Sequence, residues 1–426
     1  MEQQNLNQGK IRMEKCKREI SHSRFWIWVA CLAVIYSCAA EKDVEIPEHV
    51  EDLDNLTVHS PDMEPTREIV LEEEVTYEDA EVIRGSILIN VEVDEQGRVY
   101  IPDYQAKVVH AYNADGSYLD SIGRQGRGPG EFQMIWKIRV ANGNLHVLDY
   151  MYQKMSVFDL QAMDHIRDVS LSLNEETDAP PSWLDQTRKK KLSYKPIDFY
   201  VRSDGNYLIF FGDEAVSSVV DNVEGRTYEV SLYDFLEKKY LKHDLLSFAW
   251  TGQTLIDQEG ETVMFRVPYK RSSRFAYSGK ELIHGWTEDL HFKTYNEEGQ
   301  YQRAFFHPDP EIPLELEDAL ARYQNSDENV VKAIRNDTLP ETWPAFNTIK
   351  PDDEHRLWVS VYTDDLEMYE WWVLDAENGE LLTRFEWPKE KQIEVIKSGK
   401  LYTRERDKET GLEEVVRYDI KLGEQE

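Results

Sequence analysis

The chain has 426 residues, a formal net charge of -33, 41% hydrophobic and 12% aromatic residues. That length suits one large β domain or two ordinary ones, and the apolar share can fill a core. So acidic a surface repels nucleic-acid phosphates and anionic lipid, which excludes a nucleic-acid partner. An acidic surface is ordinarily a solvated one; a cation or a basic partner is the functional alternative.

Residues 1–37 read as a lipoprotein signal peptide. Lys10, Arg12, Lys15, Lys17, Arg18 and Arg24 form a basic stretch, and Phe25 to Tyr36 an apolar run too short to span a membrane. Ile35-Tyr36-Ser37-Cys38 resembles a bacterial lipobox. The resemblance implies cleavage before Cys38 and a lipid on its thiol; an uncleaved membrane anchor is the alternative. Cys16 and Cys31 then leave with the signal, so the mature chain can form neither an intrachain disulfide nor a cysteine-based zinc site. Residues 38–65 are acidic, contain Pro and show no period, which reads as a flexible tether. The expected location is extracytoplasmic, in the periplasm or at the outer membrane, with membrane contact only through the lipid.

Two landmarks then alternate down the chain. One is a small-residue turn leading into an aromatic or aliphatic strand, at Gly97, Gly143, Gly205, Gly279, His355 and Gly399. The other is an apolar residue followed by Asn or Asp, at Tyr112-Asn113, Phe158-Asp159, Tyr233-Asp234, Tyr295-Asn296, Leu374-Asp375 and Tyr418-Asp419. The first sits between a first and second strand and supplies positive φ. The second starts the turn between a third and fourth strand. Four strands per unit, repeated six times, predict an all-β fold, a six-bladed β-propeller with four-stranded antiparallel blades over residues 66–426. A β-sandwich with coincidental turns is the blander reading.

The blades are expected at about 82–123, 135–170, 196–245, 264–307, 345–387 and 392 to the end. Too few residues follow Tyr418-Asp419 for a fourth strand. The strand-like Thr66 to Val75 is expected to supply it, closing the ring and leaving no open edge at the seam. Residues 174–195, with Lys189, Lys190 and Lys191, read as a loop. Residues 313–337 have helical spacing and predict one or two short helices between blades four and five.

Ser121 to Phe132, which reads SIGRQGRGPGEF, resembles the glycine-rich lead-in of NHL-type propeller repeats, and Asp94 to Asp103 looks like the same family's strand signature. Leu339 to Phe346, followed by Arg356-Leu357-Trp358-Val359, looks like six-bladed propeller lipoproteins of Bacteroidetes-type bacteria. The resemblance implies an extracytoplasmic six-bladed fold and adds little about chemistry.

No H-x-H or H-E-x-x-H spacing and no G-x-S-x-G elbow occurs, so metal ligands and a catalytic triad cannot be nominated. His110, His146 and His284 fall inside strands and read as structural. The loop from Gly123 to Gly130 lacks the G-K-[ST] end of a phosphate loop. It should cross from blade one to blade two and set Arg124 and Arg127 on a channel-mouth face, where an arginine could hold a carboxylate or sulfate. Trp136, Tyr194, Tyr269, Arg271 and Trp343 lie near the starts of innermost strands and could stack a sugar or grip a peptide; blade packing and turn shaping are the plainer roles. The expectation is a monomeric binding module for a protein, peptide or glycan, without cofactor. The alternative is a metal-assisted lactonase, lyase or hydrolase holding Ca²⁺ or Zn²⁺ in the channel.

Overall fold

The computed structural model describes residues 44–77, 89–173, 181–183, 194–212, 226–250, 252, 254–258, 261–308, 311–321, 323, 328–365, 367–408 and 411–424. Nearly all of these belong to the unit Ile46–Glu426. The putting together of hairpins is as the landmarks require. Six antiparallel sheets follow in chain order, each with its first strand innermost. Their innermost and outermost strands are Glu92–Val93 and Tyr118–Ile122, Ile135–Ala141 and His165–Ser170, Lys195–Val201 and Lys239–Ala249 for blades one to three. Blades four and five run from Ser273–Tyr277 to Tyr301–His307 and from Phe346–Pro351 to Leu381–Pro388.

Blade six is completed from the other end of the chain. Its order is Arg67–Tyr77, Glu413–Glu424, Lys400–Arg406, Gln392–Lys397, from outside in. Arg67 pairs with Glu424 and Tyr77 with Val415 along an antiparallel ladder. Tyr77 is fully buried there, and its hydroxyl donates to the Ala114 carbonyl of blade one at 3.3 Å.

The first landmark does what its chemistry predicts. All six positions have positive φ, from 60° at His355 to 88° at Gly279. In blades two to five the second is an Asx turn: Asp159 Oδ1 accepts from the amides of Gln161 and Ala162, Asp234 from those of Leu236 and Glu237, Asn296 from those of Glu298 and Gln300, and Asp375 from those of Glu377 and Asn378. At Asp419 the pattern departs from expectation. That residue lies inside Glu413–Glu424 opposite Glu72, because the partner strand comes from the N-terminal side and no turn is needed.

Blades one and five share a further device. Asp94 accepts from the amides of Gln96 and Arg98, from Arg98 Nε at 2.6 Å and from the Tyr100 hydroxyl at 2.9 Å. Asp352 accepts from the amides of Glu354 and Arg356, from Arg356 Nε at 2.5 Å and from Trp358 Nε1 at 2.8 Å. One carboxylate thereby fastens a tight turn to the strand beyond it.

Period-two alternation leaves apolar faces on both sides of each sheet, and neighbouring sheets bury them. Six apolar clusters result. One joins Val157 of blade two to Phe199 and Ile209 of blade three, and another Val415 of blade six to Val93 and Ile101 of blade one.

Two further expectations need correction. Residues 38–65 are no bare tether from residue 44 on. A short helix, α1 (Glu48–Glu51), precedes β1 (Leu56–Val58), which pairs in parallel with blade four's outermost strand as a fifth strand. The apolar Leu56 and Val58 in an acidic stretch supplied a strand that composition averages hid. Blade four begins at Ser273, not near Met264; Thr254–Gln258 and Glu261–Phe265 form a separate hairpin. The expected loop of residues 174–195 falls largely outside the described residues. The helical insertion appears as α2 (Leu316–Ala321) and α3 (Glu328–Asn336), with Ala319 and Ile334 buried.

Candidate functional site

The innermost strands all run the same way and enclose a central channel. A cavity of about 520 Å³ opens there, with lining residues from every blade, among them Glu92, Arg139, Tyr200, Phe275, Lys350 and Glu394. Strand alternation explains the polarity. Lys137 and Arg139 flank buried Ile138, Asp198 and Tyr200 flank buried Phe199, and Thr348 and Lys350 flank buried Ile349. The apolar member goes between blades, and the polar members face the axis.

Each innermost strand also reaches the next. Asn90 Nδ2 donates to the Ile138 carbonyl at 2.9 Å, Arg139 Nε to that of Phe199 at 3.3 Å, and the Tyr200 hydroxyl to that of Phe275 at 3.3 Å. Arg274 Nε donates to the Asn347 carbonyl, Lys350 Nζ to that of Glu394 at 3.0 Å, and Lys397 Nζ to that of Val93 at 3.3 Å. The circuit passes through all six blades and returns to the first. It satisfies strand-edge carbonyls that would otherwise face the channel unpaired.

The charges in this belt are matched unevenly. Arg139 pairs with Glu92 at 3.1 Å and Asp198 at 3.0 Å, and stacks over the Tyr200 ring at 4.9 Å. Burial opposes its charge, but Asp198 and Glu92 outweigh burial and raise its pKa. Lys137 adds a looser contact to Asp198 at 3.6 Å. Across the channel the balance differs. Glu394 serves Arg404 at 3.2 Å and Lys350 at 3.8 Å. Burial lowers the pKa of Lys350, with Glu394 only partly opposing it. At the mouth where the strands end, Asp352 is consumed by its own turn, Asp353 caps the Ser398 amide, and Glu95 pairs with Lys397 at 2.7 Å.

The residues singled out from sequence lie at the opposite end, where the strands begin. Tyr269, Arg271 and Trp343 come together beside the helical insertion. The Tyr269 hydroxyl donates to Asp337 Oδ2 at 2.9 Å, just beyond α3, where Thr254 and Lys270 also bind. Burial raises the Tyr269 pKa. Arg271 pairs with Glu288 at 2.6 Å and donates to Thr342. Trp343 is buried and stacks on Tyr362 at 5.4 Å and 17°. Trp136 lies against Tyr150 at 4.8 Å, and Tyr194 against Trp183 at 5.4 Å, away from that group.

Arg124 Nε donates to Glu131 Oε1 at 2.7 Å, and Glu131 also accepts from the Gly128 amide at 2.8 Å. Arg127 is exposed. The glycines of this loop have a steric cause. A Cβ on Gly123 would stand 2.2 Å from the Phe132 ring, and one on Gly126 2.0 Å from Glu131.

His146, buried, meets the Tyr207 hydroxyl at 2.7 Å, and the half-buried His284 meets Ser273 Oγ at 2.9 Å. Among the described residues no group of three or more His, Cys, Asp or Glu is placed to hold a metal ion. The belt residues Glu92, Lys137, Arg139, Asp198, Arg274, Lys350, Glu394 and Arg404 were not singled out from sequence. Their signal was the polar–apolar–polar triplet at mid-strand, rather than the aromatics at strand starts.

A family model described as a 6-bladed beta-propeller, DUF5128, matches residues 76–224. The fold is that of a six-bladed β-propeller. Among solved structures, a Bacteroides vulgatus protein of the duf4221 family is 12% identical, with a TM-score of 0.52 over 84% of this chain and 100% of that one. A Bacteroides fragilis protein described as exported is 13% identical, with a TM-score of 0.46 over 86% of this chain and 99% of that one. A Xanthomonas campestris gluconolactonase is 12% identical, with a TM-score of 0.42 over 87% of this chain and 96% of that one. The comparison with curated proteins found no match. At such identities the likeness concerns fold.

Proposed function

We propose that this chain is an extracytoplasmic, lipid-anchored propeller that works as a binding module, presenting its channel and the surrounding face to a protein, peptide or glycan. The observation that carries this reading is the belt of polar side chains contributed by all six innermost strands around an open cavity of about 520 Å³. The hydrogen-bonded circuit holds those side chains in place before a ligand arrives. Such pre-organisation lowers the ordering cost of recognition. A cavity of that size lies within the usual range for small-molecule sites.

The test is binding of the purified mature protein to arrays of glycans and peptides, repeated with Thr348→Trp. Thr348 lines the channel, so the larger ring should obstruct it. Binding by the natural protein, lost in that variant, is the expected result. Hydrolysis of a lactone or ester panel, abolished by a chelator, would replace this reading with a metal-assisted enzyme.

A further inference from the structure

The stretch from α1 to the end of β1 is held on blade four through two pairs of histidines. The His59 ring, one residue past β1, stacks on that of His307 at 4.3 Å with 7° between planes. Nε2 of His59 donates to the Asn378 carbonyl at 2.9 Å, and Nε2 of His307 to that of Gly379 at 2.8 Å. Each Nε2 therefore carries a hydrogen, and a further proton can go only to Nδ1. Two imidazolium rings would then lie face to face. Among the described residues no carboxylate lies within ion-pair distance of either ring. The Asp375 carboxylate of the blade five turn caps its own amides, and the Glu377 carbonyl serves Arg303 Nε at 2.8 Å. Arg303, on the same strand as His307, is held by Glu281 at 2.7 Å. The Trp372 ring meets His307 edge-on at 5.5 Å.

In the second pair, His49 of α1 faces His291, with ring centroids 6.2 Å apart. Asp289 pairs with His49 at 2.9 Å. His291 is buried, and its Nε2 has no partner among the described residues. Lys293 stands near it on the same strand. Glu288 and Arg271, beside Asp289, pair with each other at 2.6 Å, and Glu48 and Glu51 of α1 are exposed. Little else fastens the stretch. The parallel ladder is three residues long, the His59 amide donates to the Phe306 carbonyl at 2.9 Å, and the Ala304 amide to that of Asn55 at 3.2 Å.

We propose that the stretch from α1 to His59 is an acid-released strap: protonation of its histidine pairs detaches it from blade four while the propeller stays closed. Burial lowers the pKa of His307 to about 3, with His59 adding to the shift, and burial lowers that of His291 to about 3, with Lys293 and His49 adding to it. Once the strap has left, both rings meet water and titrate near 6.5. The released form takes up protons that the attached form refuses. Attachment is therefore strongest above pH 6.5 and weakens as pH falls from there towards 3, by up to about tenfold per pH unit for each of the two histidines. The ladder between β2, Arg67–Tyr77, and Glu413–Glu424 contains no histidine, so ring closure does not share this weakness. Release uncovers the outer edge of blade four, Tyr301–His307. It also lengthens the connection to Cys38 by up to about 3.5 Å per freed residue; this second consequence alone rests on the lipid-anchored reading.

Hydrogen exchange of the mature protein at pH 7.5 and pH 5.5, corrected for the intrinsic pH dependence of exchange, tests the strap. The His59 and Ala304 amides, which join strap to blade, should lose protection by about tenfold or more at pH 5.5. The amides of Val359 and Leu401, inside blades five and six, should keep theirs. Gln can donate to the same carbonyls without taking up a proton, so His59→Gln and His307→Gln should each remove about tenfold of the pH effect. If His307→Gln does not fold, His59→Gln decides alone. Equal protection at both pH values, a loss shared by Val359 and Leu401, or a pH effect that survives the substitutions overturns the proposal. The readout needs no lipid, so failure of the anchor reading would leave it standing.

Discussion

Asp352 shows how much a single carboxylate can organise. It holds two backbone amides, the Arg356 guanidinium and the Trp358 indole, all buried. Asp352→Ala would leave the buried Arg356 charge with only the exposed Glu354, at 3.0 Å, as its partner. The expected loss is about 3–5 kcal/mol, read from the urea midpoint. Asp94→Ala should cost less, because Arg98 keeps more water than Arg356, at 18% against 6% side-chain exposure. Equal losses would count against this account of the two turns.

The buried histidines predict a pH dependence of definite sign. Burial lowers His146 to about 4, and His284, His291 and His307 to about 3. In the unfolded chain each titrates near 6.5. The unfolded state therefore takes up protons between those values that the folded state refuses. Stability present above pH 6.5 is lost as pH falls towards 4, by up to about 1.4 kcal/mol per pH unit for each such histidine. Urea midpoints at pH 7 and pH 5 check this. His146→Gln should flatten the slope, and a slope unchanged by that substitution would remove His146 from the account.

Among the elements, β2 (Arg67–Tyr77) has the largest single task. It is the outer strand of blade six, so the ring is fastened by residues from opposite ends of the described chain. Deleting residues 66–75 should expose the ladder of Glu413–Glu424 and remove packing at the blade six–blade one seam. The expected result is a strong fall in Tm with loss of a single cooperative transition. An unchanged Tm would refute the closure. The helical insertion is a different kind of element. Asp337 ties it to Thr254, Tyr269 and Lys270, so the aromatic and basic residues near strand starts serve its attachment.

At the scale of the whole molecule, six sheets share six apolar clusters and one hydrogen-bonded circuit, and the polar belt follows from both. Among the described residues no helix is long and apolar enough to cross a membrane. Cys38 lies outside the described residues, so the proposed anchor has to be tested in cells. Cys38→Ala should shift the protein from the membrane fraction to the soluble fraction of envelope extracts. Retention in the membrane fraction would rule out thiol lipidation as the anchor.

Blade number and seam were legible because both depend on local rules. Turn residues report positive φ or an Asx turn in most blades, and the strand-like alternation of Thr66 to Val75 ahead of blade one marks the ribbon that completes blade six. Mid-strand polarity was legible too, but its meaning was not. Lys137-Ile138-Arg139 looks the same on a solvent face as on a channel wall. Only closure of the ring made Arg139 meet Asp198 and Glu92 and placed Lys350 and Arg404 beside one carboxylate. Secondary structure is encoded at separations of a few residues. A site shared by six blades is set by contacts between strands far apart in the chain, and these exist only once the sheets have packed.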